Sequence, residues 1–210
     1  MASSSSAPTP EAVSRALARA KTLEYFTLAW NSLEAIVSLL AAIPTGSVAL
    51  LGFGFDSLIE TTSGGTLLWR LHRGERTEAA ALRIVGACFL ALALYVAVTS
   101  VRVLWTRSEP GESVAGIVIT AAAVVVMPLL ARAKRRAAAT LASSALRADA
   151  RQADFCMYLS AITLAGLALH ALLGWWWADP AAALVMVPII AREGISALRG
   201  QQCACSGGCH

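Results

Sequence analysis

Charged residues are scarce in this chain of 210 residues: Asp, Glu, Lys and Arg together make up 14% of it. Soluble domains carry about 25% charged residues, so this deficit excludes a soluble globular domain of the same length. Hydrophobic residues make up 57%, and the mean hydropathy is +0.64. The composition therefore indicates an integral membrane protein that acts through its membrane helices.

We expect neither a secretory signal nor a soluble domain beside the membrane helices. The first apolar run begins late and has full length, unlike the short apolar core of a cleaved leader. Residues 1–23 are expected to form a disordered or amphipathic segment, which opens with the Ser- and Pro-rich MASSSSAPTP. Residues 24–200 are expected to form the membrane domain, followed by a Cys- and His-rich tail at 201–210.

Six apolar runs approach or exceed the length of a transmembrane helix, which needs about 20 residues. They cover residues 24–43, 47–69, 82–105, 113–131, 150–173 and 175–192. Short links at residues 44–46 and around Gly174 predict tight helical hairpins. The expected fold class is therefore an all-α membrane protein with six transmembrane helices.

The basic residues set the expected orientation, because cytoplasmic loops retain positive charge. Fifteen of the seventeen Lys and Arg residues fall on the side that holds both termini, against Arg102 and Arg107 on the other. Both termini are thus predicted to be cytoplasmic, and the lack of organelle signals favours a prokaryotic plasma membrane. The basic run ARAKRRAAA is expected to be a cytoplasmic loop near anionic lipid. No aromatic residues are interleaved with these charges, so a nucleic-acid partner is not expected.

Two acids one helical turn apart, Asp56 and Glu60, lie near the middle of the second run. Each costs about 2.5 kcal/mol or more at a helix centre in lipid. Helical spacing places them on one face, together with Ala49, Phe53, Ser63 and Gly64. Both carboxylates can therefore point at a common spot, which favours a cation site. Alternatively, one or both acids are neutral and hydrogen-bonded to a neighbouring helix.

A polar seam on the fifth run is the candidate other half of that site. It consists of Asp149, Gln152, Cys156, Ser160 and Thr163, which recur at helical spacing. Opposed to the two acids, it would offer an amide oxygen from Gln152 and a thiolate from Cys156. Alternatively, small polar residues and Cys line helix contacts in membranes.

Three further acids could have either a functional or a structural role. Glu34 either couples protons or supports a ligand, or it hydrogen-bonds Asn31 or Ser38 and ties helices together. Asp179 precedes a proline at the start of the sixth run, which predicts an N-cap of that helix. Asp154 lies off the seam and is expected in a helix contact or in the cytoplasmic half of a pathway.

The C-terminal CACSGGCH holds four soft-metal ligands, Cys203, Cys205, Cys209 and His210. In a reducing cytoplasm metal binding is favoured over a disulfide. The spacing matches no established zinc-finger pattern, so the tail is either a flexible zinc-capturing segment or an end with incidental cysteines.

The runs GSVALLGFGFDSLIE and LRADARQADFCMYLSAI resemble the cation diffusion facilitator family over about residues 24–200, and WWWADPAAALVM fits as well. The resemblance implies a homodimeric exporter of divalent cations. In that family the transport site takes two acids from the second span, which Asp56 and Glu60 match. It takes two further ligands from the fifth span. Gln152 stands where the family has His or Asp, and Cys156 stands where the family has Asp. We expect no counterpart of the family's cytoplasmic metal-sensing domain, so the chain resembles a minimal or divergent branch.

The sulfur ligand favours Zn²⁺ over Mn²⁺ or Mg²⁺, because Zn²⁺ tolerates thiolate. We therefore expect a transporter, not an enzyme, that exports Zn²⁺ (or Co²⁺, Cd²⁺, Fe²⁺ or Mn²⁺) by proton antiport and alternating access, with no permanently bound cofactor. The alternative is a non-transporting membrane protein that binds metal and modulates a partner.

Overall fold

The computed structural model describes residues 10–73, 78–141 and 143–199, and the Cys- and His-rich tail lies outside this range. The described residues form α-helices and no strand, which confirms the all-α prediction. The six helices are α1 (Pro10–Thr45), α2 (Val48–Arg73), α3 (Glu78–Thr106), α4 (Val114–Thr140), α5 (Ser144–Leu173) and α6 (Ala178–Leu198).

Five of these helices, namely α1 and α3 to α6, are long and apolar enough to cross a membrane within the described ranges. The remaining helix, α2, has 26 residues, which exceeds the length that a crossing needs. Its two acids and the run TTSGGT lower its hydropathy. The chain is therefore a multi-pass membrane protein. The one of its six described helices that is not among these five carries Asp56 and Glu60.

The helices pack as a group of four and a pair. Helices α1, α2, α4 and α5 pack against one another, and α3 lies along α6. The pair meets the group through α2 and α5. Phe53, Met127, Leu159 and Met186 are fully buried and belong to one hydrophobic core cluster. The face of α2 that holds Asp56 and Glu60 is buried within this bundle.

Close approach of backbones characterises the α3–α6 pair. A Cβ atom added at Gly86 would lie 2.8 Å from both the Gly194 carbonyl oxygen and the Leu198 nitrogen. One added at Gly194 would lie 3.0 Å from the Gly86 oxygen. Small residues allow such close helix packing in membranes, where lipid offers no hydrophobic driving force between helices.

The tight hairpins predicted at residues 44–46 and around Gly174 are confirmed. Gly46 and Gly174 each have φ of 66°, a left-handed conformation that favours glycine. Gly174 ends α5 by donating its backbone N–H to the His170 oxygen. The α3–α4 link lies at the same end of the bundle, because the Gly111 N–H donates to the Thr45 oxygen over 2.6 Å.

The predicted role of Asp179 is wrong in one respect, since this side chain caps α2 instead of its own helix. Its carboxylate accepts hydrogen bonds from the Ser47 hydroxyl at 2.5 Å and from the Val48 N–H at 2.9 Å. Trp177 precedes α6 and makes no side-chain cap bond. The buried Asp179 therefore joins the first residues of α2 and α6.

The basic run ARAKRRAAA is helical, contrary to the prediction of a loop. Helix α4 continues to Thr140, well beyond the predicted limit at residue 131, and α5 begins at Ser144. Side-chain burial separates the basic residues within this run: Arg132, Arg135 and Arg136 are exposed, whereas Lys134 is fully buried. Helix α1 likewise begins at Pro10, before the first predicted span.

Candidate metal centre

Asp56, Glu60 and Cys156 meet inside the helix bundle. One potential ligand atom from each lies within 4.8 Å of the others, and all three side chains are buried. Asp56 and Glu60 come from successive turns of α2, and Cys156 comes from the facing turn of α5. Two carboxylates and a sulfur at this separation form a set that a tetrahedral Zn²⁺ accepts. We call these three residues the central cluster.

One carboxylate oxygen of Asp56 is free to bind a further ligand. Its side chain is 3% exposed, and its Oδ2 atom accepts no hydrogen bond from the described part of the chain. Buried polar atoms in folded proteins are nearly always paired, so such an oxygen calls for an explanation. A bound cation would satisfy it.

Glu60 is held by two amides, one from each neighbouring helix. Asn31 of α1 donates from Nδ2 to Glu60 Oε2 over 2.9 Å, and Gln152 of α5 donates from Nε2 to Oε1 over 2.9 Å. Gln152 thus reaches the central cluster through its nitrogen and orients Glu60, instead of presenting its oxygen. Spacing along α1 alone offers Asn31 as a partner of Glu34 and does not predict this bond to α2.

Glu34 contacts the central cluster from α1. Its Oε2 atom accepts a hydrogen bond from the Ser57 hydroxyl over 3.3 Å and lies 3.8 Å from the Cys156 sulfur, which donates to it. Its other oxygen accepts from the indole N–H of Trp30. The alternative in which Glu34 bonds Asn31 or Ser38 is therefore wrong, and Glu34 lies beside the cysteine.

The C-terminal half of the α5 seam packs instead of facing the acids. The Ser160 hydroxyl donates to the Cys156 backbone oxygen over 2.6 Å, and the Thr163 hydroxyl donates to the Met186 sulfur over 3.4 Å. Both side chains are fully buried. For these two residues the helix-contact interpretation holds.

Asp149 lies apart from the central cluster, in a second group of buried charges. The Lys134 ammonium lies 2.5 Å from Asp149 Oδ2 and 3.2 Å from Glu24 Oε2. We call Glu24, Lys134 and Asp149 the ion triad. Neither Glu24 nor Lys134 was singled out from the sequence, although an acid at the start of an apolar run is a usable signal.

The remaining candidate residues fall at the edge of the bundle or beyond the described ranges. Asp154 pairs with Arg135 of α4 over 2.5 Å, which is the helix contact expected of it. Cys203, Cys205, Cys209 and His210 lie outside the described residues, so their metal binding stays a prediction.

Comparison with known proteins covers almost the whole bundle. Residues 25–200 match the family model of the cation efflux transmembrane domain. A search of the curated proteins finds no match. The matched range contains both helices of the central cluster and the ion-triad residues Lys134 and Asp149, and it begins one residue after Glu24.

Proposed function

Because the chain belongs to the cation efflux family, whose members transport cations, we propose that it carries a divalent cation through the central cluster, with Zn²⁺ as the main substrate. The observation that supports this proposal is the meeting of three buried ligand atoms within 4.8 Å. Asp56, Glu60 and Cys156 would bind the ion directly. Gln152 would either rotate its amide so that the oxygen becomes a neutral fourth ligand, or keep its present hydrogen bond and hold Glu60 in place.

Proton antiport follows from the chemistry of these ligands. Carboxylate and thiolate groups must be deprotonated to bind a metal, and they take up protons when the metal leaves. If the cluster faces each side of the membrane in turn, metal and protons move in opposite directions. Glu34 lies beside Cys156 and would support the ligand set from α1.

The proposal also includes the orientation of the chain in the membrane and its assembly into a dimer. The excess of Lys and Arg at the end of the bundle that holds both termini supports a cytoplasmic location for the termini. Transport would then be export across a plasma membrane. A homodimer is proposed from the family resemblance.

Zinc uptake into proteoliposomes tests the proposed function. The full chain is reconstituted with a zinc-sensitive dye in the lumen, and the lumen is made acidic relative to the outside. We expect zinc to enter, faster with the proton gradient than without it, because outward proton flow drives inward metal flow. A protonophore should remove this acceleration. Zinc binding without any uptake would instead support the metal-binding protein that does not transport.

Substitutions at the α5 ligands test the proposed ion preference. Cys156→Asp together with Gln152→His replaces a soft sulfur and an amide by oxygen and imidazole ligands. We expect the rate of Mn²⁺ or Co²⁺ uptake to rise relative to that of Zn²⁺, by about tenfold, because sulfur favours Zn²⁺ whereas Mn²⁺ prefers oxygen. Initial rates for each ion give the ratio.

Gln152→His alone is the control for that change. It leaves the sulfur in place, so its selectivity should stay closer to that of the unmodified protein. An unchanged order of ions in the double variant would mean that Cys156 only packs against its neighbours.

A further inference from the structure

The ion triad places a lysine ammonium between two carboxylates inside the bundle. Side-chain exposure is 0% for Lys134, 4% for Glu24 and 15% for Asp149. Two acids and one lysine leave a formal charge of −1. Burying ions is costly, and a buried ion pair is often no more stabilising than apolar residues of the same size. A purely structural tie between α1, α4 and α5 therefore does not explain why charges are used here.

One oxygen of the ion triad is left without a partner. Glu24 Oε1 is buried and accepts no hydrogen bond within the described ranges. It points toward α2, because a Cβ atom added at Gly64 would lie 3.1 Å from it. The ammonium of Lys134 thus satisfies only part of the negative charge around it. A divalent cation would balance the two negative charges of Glu24 and Asp149 in full.

Two members of the ion triad lie on the same helix faces as residues in or next to the central cluster. Glu24 precedes Asn31 by two turns of α1, and Asp149 precedes Cys156 by two turns of α5. Seven residues of helix span about 10 Å. Between the two groups lie the amides of Asn31 and Gln152, which both bind Glu60. A row of polar side chains, with Asn31 buried and Gln152 half-buried, therefore lies between the ion triad and the central cluster.

Beyond the ion triad an apolar layer follows. It consists of Ala20, Ala137, Ala138 and Leu146. Each of these residues lies about one turn from a member of the ion triad, on the side away from the central cluster. The ion triad is thus the first charged group that an ion would reach after passing this layer from the end of the bundle that holds the termini.

We propose that Glu24 and Asp149 form a second cation site, in which the Lys134 ammonium takes the place of a divalent cation. Lysine carries a compact charge on a flexible stem, so its ammonium can withdraw when the metal enters. The metal then passes along the amides to the central cluster. This inference rests on the proposed function, because it assigns the route by which the transported ion reaches that cluster.

Zinc binding in a protein without the central cluster tests the second site. The parent protein carries Asp56→Asn and Cys156→Ala and is held in lipid nanodiscs. Adding Lys134→Met to this parent should raise the zinc bound per chain by one equivalent in equilibrium dialysis, because two acids lose their tethered cation. Adding Glu24→Gln to that variant should remove the extra equivalent.

Arg135→Met in the same parent is the matched control. It removes one positive charge from the neighbouring position of α4, where the side chain is exposed and pairs with Asp154. The zinc count should not change. An unchanged count in the folded Lys134→Met variant, as judged by size-exclusion chromatography, would overturn the second site. Because the count is taken without transport, a failure here is distinguishable from a failure of the proposed function.

A second measurement covers the case in which Lys134→Met does not fold. Glu24→Gln in the otherwise unmodified protein should raise the KM for zinc uptake by about tenfold, the lower end of what a charged cleft contributes to ion capture. The size-exclusion profile shows whether this variant folds. An unchanged KM would overturn the proposal.

Discussion

Replacing Asp56 by asparagine is expected to reduce the initial rate of zinc uptake by about 100-fold or more, since even supporting residues around a metal contribute 10- to 100-fold. Asparagine has nearly the same volume, so the helix packing around residue 56 is preserved. The change removes a negative charge and one of the two carboxylates that face Cys156. Uptake into proteoliposomes over a range of free zinc gives the rate, and circular dichroism gives the helix content.

Asp154→Asn is the matched control, because it makes the same chemical change on α5, where the acid is partly exposed and pairs with Arg135. Zinc uptake by this variant should remain close to that of the unmodified protein. If Asp56→Asn transports zinc at the unmodified rate, the central cluster is not the transport site.

Replacing Gly86 by valine is expected to lower the free energy of unfolding by about 2–3 kcal/mol, as overpacking of a tight core does. The first added carbon would lie 2.8 Å from backbone atoms of α6. Backbone atoms cannot rotate away as a side chain can, so α3 and α6 must separate. Unfolding in mixed micelles, followed by circular dichroism, measures the loss.

Gly65→Val in α2 is the corresponding control. A Cβ atom added there meets no atom within 4 Å, so the same substitution should change stability by less than about 1 kcal/mol. Equal losses for the two variants would show that the close contact of α3 with α6 does not determine the cost at Gly86.

The periodicity of single helices predicted much of this protein. Apolar length gave the helices, and glycine placed the turns at Gly46 and Gly174. Spacing of three and four residues brought Asp56 and Glu60 to one face, and the same rule put Cys156 on a polar face of another helix. Each of these features depends on residues close together in the sequence.

Contacts between distant helices could not be predicted in this way. Asn31 and Glu60 are 29 positions apart and Asp179 and Ser47 are 132 apart, and the rotation of one helix against another decides whether such pairs meet. Lys134 was missed for a further reason. Counting positive charge to orient a chain treats all basic residues as loop residues, whereas this one is buried in a helix.

The hydrogen bonds at one end of the bundle would make the two halves of the proposed transport cycle mechanically unequal. Asp179 fastens α6 to α2, and Gly111 fastens the α3–α4 link to the end of α1. This end can act as a fulcrum. Helix α2 has 26 residues, so it is about 39 Å long, and a tilt of about 10° would move its other end by about 7 Å. Under the proposed export, admitting an ion at the end that holds the termini would need only such a tilt, whereas releasing it at the fulcrum would first require breaking the Asp179 and Gly111 bonds.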